Sequence, residues 1–140
     1  MAFSQSIAEA RIAAAIAGVA VLVRLVGVLR AVKLLEGLIG RRRPLLASAS
    51  EELMLARRIG RRVNVAAARM PGKPRCLVRS MATMAALRRH GMPADLQVGI
   101  TYRDTFEAHA WVELHGEPIN DTPEATSAYR SIWRSRQAAA

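Results

Sequence analysis

The hydrophobic pattern of this chain changes its period once, at Pro93, and that change limits what the chain can fold into. Before Pro93, apolar residues recur at helical spacing in three successive blocks. After Pro93, apolar and polar residues alternate over 95–102 and again over 106–114, which is typical of half-buried strands. The sequence therefore predicts helices first and strands afterwards, with the polar residues 103–105 as the turn between the two strands.

The third helical block has clear ends and carries the only cysteine of the chain in its first turn. Pro74 precedes it, Gly91 is placed to take the left-handed conformation at its C-terminus, and Pro93 closes it. At a helix N-terminus, unpaired N–H groups and the positive dipole end favour the nucleophilic thiolate of Cys76. A lone cysteine is also often a small buried hydrophobe, so Cys76 alone does not decide between the two interpretations.

Length and composition indicate one compact domain with a helical appendage. The chain has 140 residues, of which 51% are hydrophobic and only 4% aromatic, so we expect an aliphatic, alanine-rich core. We divide it into an apolar N-terminal helical segment, 1–45, and a second part, 46–140, that carries Cys76.

Charge and cysteine usage limit the partners and the compartment. A net charge of +10 favours an anionic partner, such as nucleic acid, an acidic peptide or a membrane surface, although a solvated arginine-rich surface explains it as well. A single cysteine excludes an internal disulfide and a multi-cysteine zinc site. A nucleophilic thiol has to stay reduced, so we expect a cytoplasmic protein, with or without membrane association.

The N-terminal segment contains an uncharged apolar run, 12–23, that ends at Arg24. The basic residues follow this run, the reverse of a secretory signal. The run is shorter than the ~20 residues of a membrane span unless Arg24 and the basic residues 41–43 reach an interface. We predict one or two long helices, ended by Gly37, Gly40 and Pro44, that bury an apolar face on the domain, on a partner or on a membrane surface.

The second helical block, 48–69, combines a capped start with a basic face. Ser48 or Ser50 can cap it, and Glu51 and Glu52 lie in its first turn, where negative charge is favoured. Its arginines form a basic face that is either solvated or a docking surface; they are Arg57, Arg58, Arg61, Arg62 and Arg69.

The C-terminal part predicts a third strand and a weak helix. A turn over 115–118 leads to a strand that begins with Ile119, Asn120 and Asp121. A short helix or coil then starts at 122–124 and carries Tyr129 and Trp133, and residues 137–140 are expected to fray.

Cys76, His109 and Asp121 together provide the groups that nucleophilic cysteine chemistry requires. The thiolate attacks a carbonyl, an imidazole takes and returns the proton, and a carboxylate fixes the imidazole. His109 lies on the polar face of its strand, so it can point at the Cys76 helix. His90, at a helix end, and His115, in a turn, fit this role less well.

Asp121 meets His109 only in one register of the third strand. With a two-residue loop at 116–117, Asp121 would lie opposite Val112 and face away from His109. We predict a three-residue or bulged connection, favoured by Gly116 and Pro118, that places Asp121 opposite Trp111.

Four motifs resemble the transglutaminase-like leader peptidases of lasso-peptide biosynthesis. They are CLVRS at 76–80, LRRHGMPA at 87–94, AHAWVE at 108–113 and IND at 119–121, together covering about residues 74–121. The resemblance implies an α+β fold with a papain/transglutaminase-like core, in which the helix bearing the nucleophilic cysteine packs on a small antiparallel sheet. It also implies that the family's catalytic residues correspond to Cys76, His109 and Asp121, with no cofactor or metal.

The resemblance further implies a reaction and partners. The family hydrolyses a precursor peptide between leader and core, and an ATP-dependent cyclase then closes the macrolactam. This chain is similar to the split form, which acts with a separate small leader-recognition protein. The N-terminal helices and the arginine face are the candidate docking surfaces.

Papain-type enzymes carry a glutamine before the cysteine as an oxyanion donor, and this chain lacks it. The Cys76 backbone N–H supplies one oxyanion donor, and Asn64 is a candidate for the second.

Three other functions remain open on the sequence. The same thioester could be transferred to an amine, which makes an acyltransferase. A non-enzymatic basic module that binds a membrane or nucleic acid would explain the charge, but the sequence lacks stacking aromatics on a sheet and a helix-turn-helix pattern. A metal site from the three candidate residues lacks a closely spaced ligand pair.

Overall fold

The computed structural model describes residues 2–38 and 48–135, and it has helices followed by a small antiparallel sheet. The four longer helices are α1 Ala2–Val26, α2 Val28–Leu38, α3 Ala49–Arg69 and α4 Cys76–Arg89. The strands are β1 Asp95–Tyr102, β2 Phe106–Leu114, β3 Glu117–Pro118 and β4 Arg130–Arg134, with the short helix α5 Pro123–Ser127 before β4. The predicted α+β class is confirmed.

The N-terminal segment forms two helices that share the core of the protein. Gly27, at φ 83°, breaks the segment between α1 and α2. Ile16 of α1 and Val32 of α2 are buried in the same hydrophobic cluster as residues of α3, α4 and the sheet. One face of this segment therefore packs on the rest of the chain.

The opposite face of the N-terminal helices is exposed and apolar. Val21 is 55% exposed, Leu25 77% and Leu29 63%. Residues 4–26 also form a helix that is long and apolar enough to cross a membrane, a test that core helices and N-terminal signal sequences pass as well.

Helix α3 begins and packs as its sequence predicts. The Ser48 hydroxyl accepts a hydrogen bond from the Glu51 backbone N–H at 3.3 Å, which confirms Ser48 as the cap. A Cβ at Gly60 would lie 3.2 Å from the Ile119 side chain and 3.3 Å from its carbonyl oxygen, so the helix backbone approaches the chain after β3 closely. At the other end, Arg69 pairs with Glu9 of α1 at 2.9 Å.

Helix α4 is the central helix of the core. Met81, Met84 and Leu87 are fully buried. Gly91 has φ 79°, which confirms the left-handed C-terminal conformation. The last turn of α4 is also bonded to the residue before β1, because Arg88 donates to the Ala94 carbonyl at 2.9 Å.

The sheet has the strand order β3-β2-β1-β4 within the described residues. Strands β1 and β2 pair antiparallel from Asp95↔Glu113 to Tyr102↔Phe106, so the predicted strands and the turn between them are confirmed. Leu96, Ala110, Val112 and Leu114 are buried and belong to the core cluster that includes the apolar residues of α4.

A third strand is present, but its predicted position is wrong. The strand comprises Glu117–Pro118 instead of starting at Ile119, and it pairs with Leu114 and Glu113. The turn before it is His115-Gly116, with φ values of 53° and 79°. Two successive left-handed residues make a tight hairpin turn whose twist matches the strands, and this favours pairing directly after Gly116.

The predicted C-terminal helix is correct only at its start. The Thr122 hydroxyl caps α5 by accepting from the Ala125 N–H at 3.1 Å, but α5 ends at Ser127. Tyr129 lies beyond it and Trp133 lies in β4, which pairs with β1 with a register shift at Val98/Gly99. Pairing with the free edge of β1 makes this arginine-rich segment a strand despite its weak local pattern.

Some predicted features lie outside the described residues. These are the segment end at Gly40 and Pro44, the basic residues 41–43, the domain boundary at 45/46 and the fraying of 137–140.

Candidate active site

His109 and Asp121 are in direct contact. The Nε2 atom of His109, in the middle of β2, is hydrogen-bonded to Oδ2 of Asp121. The side chains are 19% and 23% exposed, so both are accessible from solvent yet largely enclosed. The other carboxylate oxygen of Asp121 accepts from the Thr122 backbone N–H at 2.9 Å. Both oxygens of Asp121 are thus occupied, which fixes the plane of the carboxylate.

Asp121 reaches His109 by a different route from the predicted register. The ladder pairs Glu113 with Pro118, and counting on from this pair would place Asp121 opposite Ala110. The last ladder bond runs from the Ile119 N–H to the Val112 carbonyl at 2.8 Å. Beyond Ile119 the chain leaves the strand, so the prediction that places Asp121 opposite Trp111 is wrong, and the contact with His109 is made from outside the ladder.

The side chain of Asn120 replaces the backbone where the ladder stops. Its Oδ1 accepts from the Val112 N–H at 2.9 Å, and its Nδ2 donates to the Ser80 hydroxyl at 2.8 Å. Ser80 in turn donates to the Ala110 carbonyl at 2.9 Å, and Asn64 Nδ2 donates to the Asn120 carbonyl at 3.0 Å. We call Ser80, Asn120 and Asn64 the Ser80–Asn120 network; it joins α4, α3, β2 and the chain that carries Asp121.

Cys76 is the first residue of α4, and its thiol is free and half-buried. The cap residue Arg75 makes no side-chain cap hydrogen bond. Ser80 follows Cys76 by one helical turn, or about 6 Å along the axis, and is bonded to Ala110, the neighbour of His109. This bond attaches α4 to β2 at Ala110, whose side chain lies on the opposite face of the strand from that of His109.

Aromatic side chains surround the His109 ring. The Trp111 ring stacks at a centroid distance of 6.0 Å with an angle of 21°, and the Tyr129 ring lies at 5.1 Å. Gly99 is the cross-strand partner of His109, and a Cβ there would lie 2.8 Å from the Trp111 ring and 2.9 Å from the Tyr129 Cβ. Only glycine leaves room for this arrangement.

Tyr129 also has a hydrogen-bond partner on β2, the Glu107 side chain. Its hydroxyl donates to Glu107 Oε2 at 3.2 Å. Desolvation, together with the hydrogen bond to the Glu107 carboxylate, raises the pKa of the Tyr129 phenol above its usual value, so it stays neutral at physiological pH.

The other two histidines have separate partners. A ring nitrogen of His90 lies 2.8 Å from the Ala86 carbonyl, and His115 Nε2 lies 2.7 Å from Glu52 Oε2. In the described ranges, no group of three or more His, Cys, Asp or Glu side chains is arranged to hold a metal ion.

Ser80 and Asn120 were not predicted as residues of the site. Ser80 follows Cys76 by four residues, and Asn120 precedes Asp121; this proximity was the available signal. The Nε of Arg79 is buried and has no hydrogen-bond partner within the described part of the chain. Asn64, the candidate second oxyanion donor, instead donates to the Asn120 carbonyl.

A known protein family matches most of this chain. Residues 15–134 match the model of the transglutaminase-like superfamily. The chain belongs to this superfamily. The matched range of this transglutaminase-like protein begins inside α1 and ends with β4, so it contains Cys76, His109, Asp121 and the Ser80–Asn120 network. No curated protein and no solved structure matches the chain. Membership supports a cysteine peptidase or acyltransferase kind of function.

Proposed function

We propose that this transglutaminase-like protein is a cysteine peptidase that removes the leader from a ribosomally made lasso-peptide precursor, with Cys76, His109 and Asp121 as its triad. The observation that carries the proposal is the bond between His109 Nε2 and Asp121, on elements that the Ser80–Asn120 network ties to the start of the Cys76 helix. The superfamily match supports the class of reaction. The motifs at 76–80, 87–94, 108–113 and 119–121 support the lasso-peptide role.

In this mechanism the Cys76 thiolate attacks the carbonyl carbon of the scissile peptide bond. Asp121 occupies Nε2 of His109, which leaves Nδ1 to carry the proton. The Cys76 backbone N–H stabilises the oxyanion. His109 gives its proton to the leaving amine as the C–N bond breaks, and a thioester remains on Cys76. Water then attacks the thioester and gives a proton to His109, which releases the new carboxylate and regenerates the thiolate.

The proposal includes the cytoplasmic compartment and the partners of the split form. A small leader-recognition protein presents the leader, and the released core peptide passes to an ATP-dependent cyclase. Docking of the recognition protein uses the exposed Arg58 and Arg62 of α3. The exposed apolar face of α1 and α2 is a second docking surface, for this partner or for the membrane surface.

The test is cleavage of the precursor peptide with the recognition protein present. Cys76→Ala and, separately, His109→Ala are expected to abolish cleavage. His90→Ala is the matched control, because His90 is exposed and lies at the far end of α4. Full activity of Cys76→Ala would refute the peptidase.

Acyl transfer is the second candidate because superfamily membership supports it equally. The same assay, repeated with methylamine, separates the two by mass. A peptidase yields a free carboxylate as the main product, whereas a methylamide as the main product would identify an acyltransferase.

A further inference from the structure

A cavity of about 380 Å³ lies between α3 and the chain that follows β3. Its α3 wall is formed by Arg57, Arg61 and Asn64, and its other wall by residues 118–123, which include Asp121. This volume lies at the lower end of the range for ligand pockets and suits one or two amino-acid residues. We call it the α3 cavity.

The charges at the α3 cavity favour a carboxylate. Arg61 is exposed, and no ion pair is described for it in the part of the chain that the structure covers. Arg57 pairs with Glu117 at 3.6 Å, but both side chains are about half exposed, so the pair is weak and can exchange partners. The negative charge of Asp121 opposes an anion, but both of its oxygens are engaged by His109 and Thr122.

Asn64 contributes to the cavity wall a hydrogen-bond acceptor that has no donor among the described residues. Its Nδ2 is fixed on the Asn120 carbonyl at 3.0 Å, which determines the orientation of the amide. The Oδ1 atom is buried and has no hydrogen-bond partner in the described ranges. A buried acceptor without a partner is unfavourable, so a ligand that brings an N–H group to Asn64 is stabilised there.

We propose that the α3 cavity is a subsite for an acidic residue of the peptide substrate. Arg61, assisted by Arg57, holds the side-chain carboxylate, and Asn64 Oδ1 accepts a backbone N–H of the same peptide. The peptide substrate rests on the proposed function, whereas the binding of a carboxylate does not. Because Asp121 belongs to the cavity wall and contacts His109, an acidic residue bound here lies beside the triad.

The first test measures binding without cleavage. The full chain, labelled with ¹⁵N, is titrated with N-acetyl-glutamate methylamide and with the glutamine analogue as an uncharged match. The glutamate probe is expected to shift the Asn64 side-chain amide and the Thr122 backbone signal, and Arg61→Gln weakens its binding by about 5- to 10-fold. Arg89 is an exposed arginine of α4 that does not line the cavity, so Arg89→Gln should leave the binding of the glutamate probe unchanged. Equal shifts with both probes, or no effect of Arg61→Gln, would overturn the subsite.

The second test uses cleavage of the precursor. Arg61→Gln is expected to raise KM about tenfold with little change in kcat, and Arg89→Gln to change neither. The acidic residues of the precursor are also replaced one at a time by their amides. One of these peptides should show the same increase in KM with the wild-type protein. That peptide should no longer respond to Arg61→Gln.

The two tests separate the two proposals. If the protein cleaves the precursor but no acidic residue shows coupling to Arg61, the subsite fails and the peptidase stands. If no precursor is cleaved, the peptidase fails, and the titration alone decides the subsite.

Discussion

At the scale of single residues, Asp121 binds Nε2 of His109 and leaves Nδ1 for the proposed nucleophile, Cys76. The carboxylate accepts at Nε2 and is itself held by the Thr122 N–H. A carboxylate at Nε2 keeps the proton of the neutral ring on that side and stabilises an imidazolium, as the proposed mechanism requires.

Asp121→Asn is predicted to lower kcat by about 10²- to 10⁴-fold, because an amide can donate to Nε2 and favours the wrong tautomer. The measurement is single-turnover cleavage of the precursor. The thermal unfolding midpoint is measured in parallel and should change little. A rate within about twofold of wild type would show that Asp121 does not orient His109.

Gly99→Ala is predicted to lower both stability and activity. The new Cβ would lie under 3.0 Å from Trp111 and from Tyr129, so the rings around His109 have to move, at a cost of about 1–3 kcal/mol. Gly18→Ala in α1 is the matched control, since a Cβ there meets nothing within 4 Å, and it should stabilise the helix by up to about 1 kcal/mol. Urea unfolding and precursor cleavage measure the two effects; equal stability changes for both variants would contradict this account.

At the scale of elements, the Ser80–Asn120 network joins the helix of Cys76 to the strand of His109. Ser80 is fully buried and Asn120 is 8% exposed, so their hydrogen bonds are shielded from water. Each bond links residues far apart in sequence, 30 positions for Ser80 and Ala110 and 40 for Asn120 and Ser80. The network therefore links α4, which carries Cys76, to β2 and to the chain that carries Asp121.

Ser80→Ala is predicted to destabilise the fold by about 1–3 kcal/mol, because Asn120 Nδ2 and the Ala110 carbonyl lose a partner. It should also lower kcat more than it raises KM. Thr83→Val on the same helix removes a buried hydroxyl whose bond is local, to the Arg79 carbonyl at 3.0 Å. This control should retain kcat; an equal loss of kcat in both variants would assign Ser80 a general packing role.

Glu36 connects α2 to the end of α4 through Arg88, at 3.7 Å. Desolvation raises the pKa of Glu36 above 4.5, although the Arg88 charge opposes the shift. The folded state therefore binds the proton more tightly than the unfolded state, and the stability gained from protonation is complete below pH 4.5 and lost as pH rises through the raised pKa.

The prediction is that the free energy of unfolding of wild type, relative to Glu36→Gln, falls as the pH rises from below 4.5 through the raised pKa of Glu36. Urea titrations of both proteins at several pH values measure the difference. A difference that is constant or rises with pH would contradict the sign of the shift.

At the scale of the whole molecule, α3 presents arginines in two directions. Arg57 and Arg61 line the α3 cavity, whereas Arg58 and Arg62, one position further along, are exposed outside it. Successive residues of a helix differ by about 100° around the axis, so a single helix can serve a substrate subsite and a partner surface.

Reversing Arg58 and Arg62 together to Glu is predicted to lower precursor cleavage with the proposed recognition protein by at least about tenfold, because the proposed docking surface changes sign. Initial rates are measured over a range of partner concentrations. The double variant Arg11→Glu/Arg89→Glu gives the same change in net charge at exposed positions and should behave as wild type. Unchanged partner dependence after reversal at Arg58 and Arg62 would count against this surface.

The sequence by itself determined the features that depend on neighbours along the chain. The start of α3 at Ser48, the end of α4 at Gly91 and the strands β1 and β2 were all predictable. Capping, left-handed glycine and hydrophobic period act within a few residues, so the local sequence contains the necessary information. The types and order of the proposed triad residues are equally visible in the sequence.

Only the tertiary structure decided the features that depend on pairing between distant segments. The register after Gly116, the route of Asp121 to His109, the network through Asn120 and the strand β4 were mispredicted or missed. Each depends on which free backbone group or strand edge is available across the molecule. The side chain of Asn120, for example, replaces a ladder bond only because the chain leaves the sheet at that point. Such long-range pairings have no local pattern, because their energy comes from groups brought together by the complete fold.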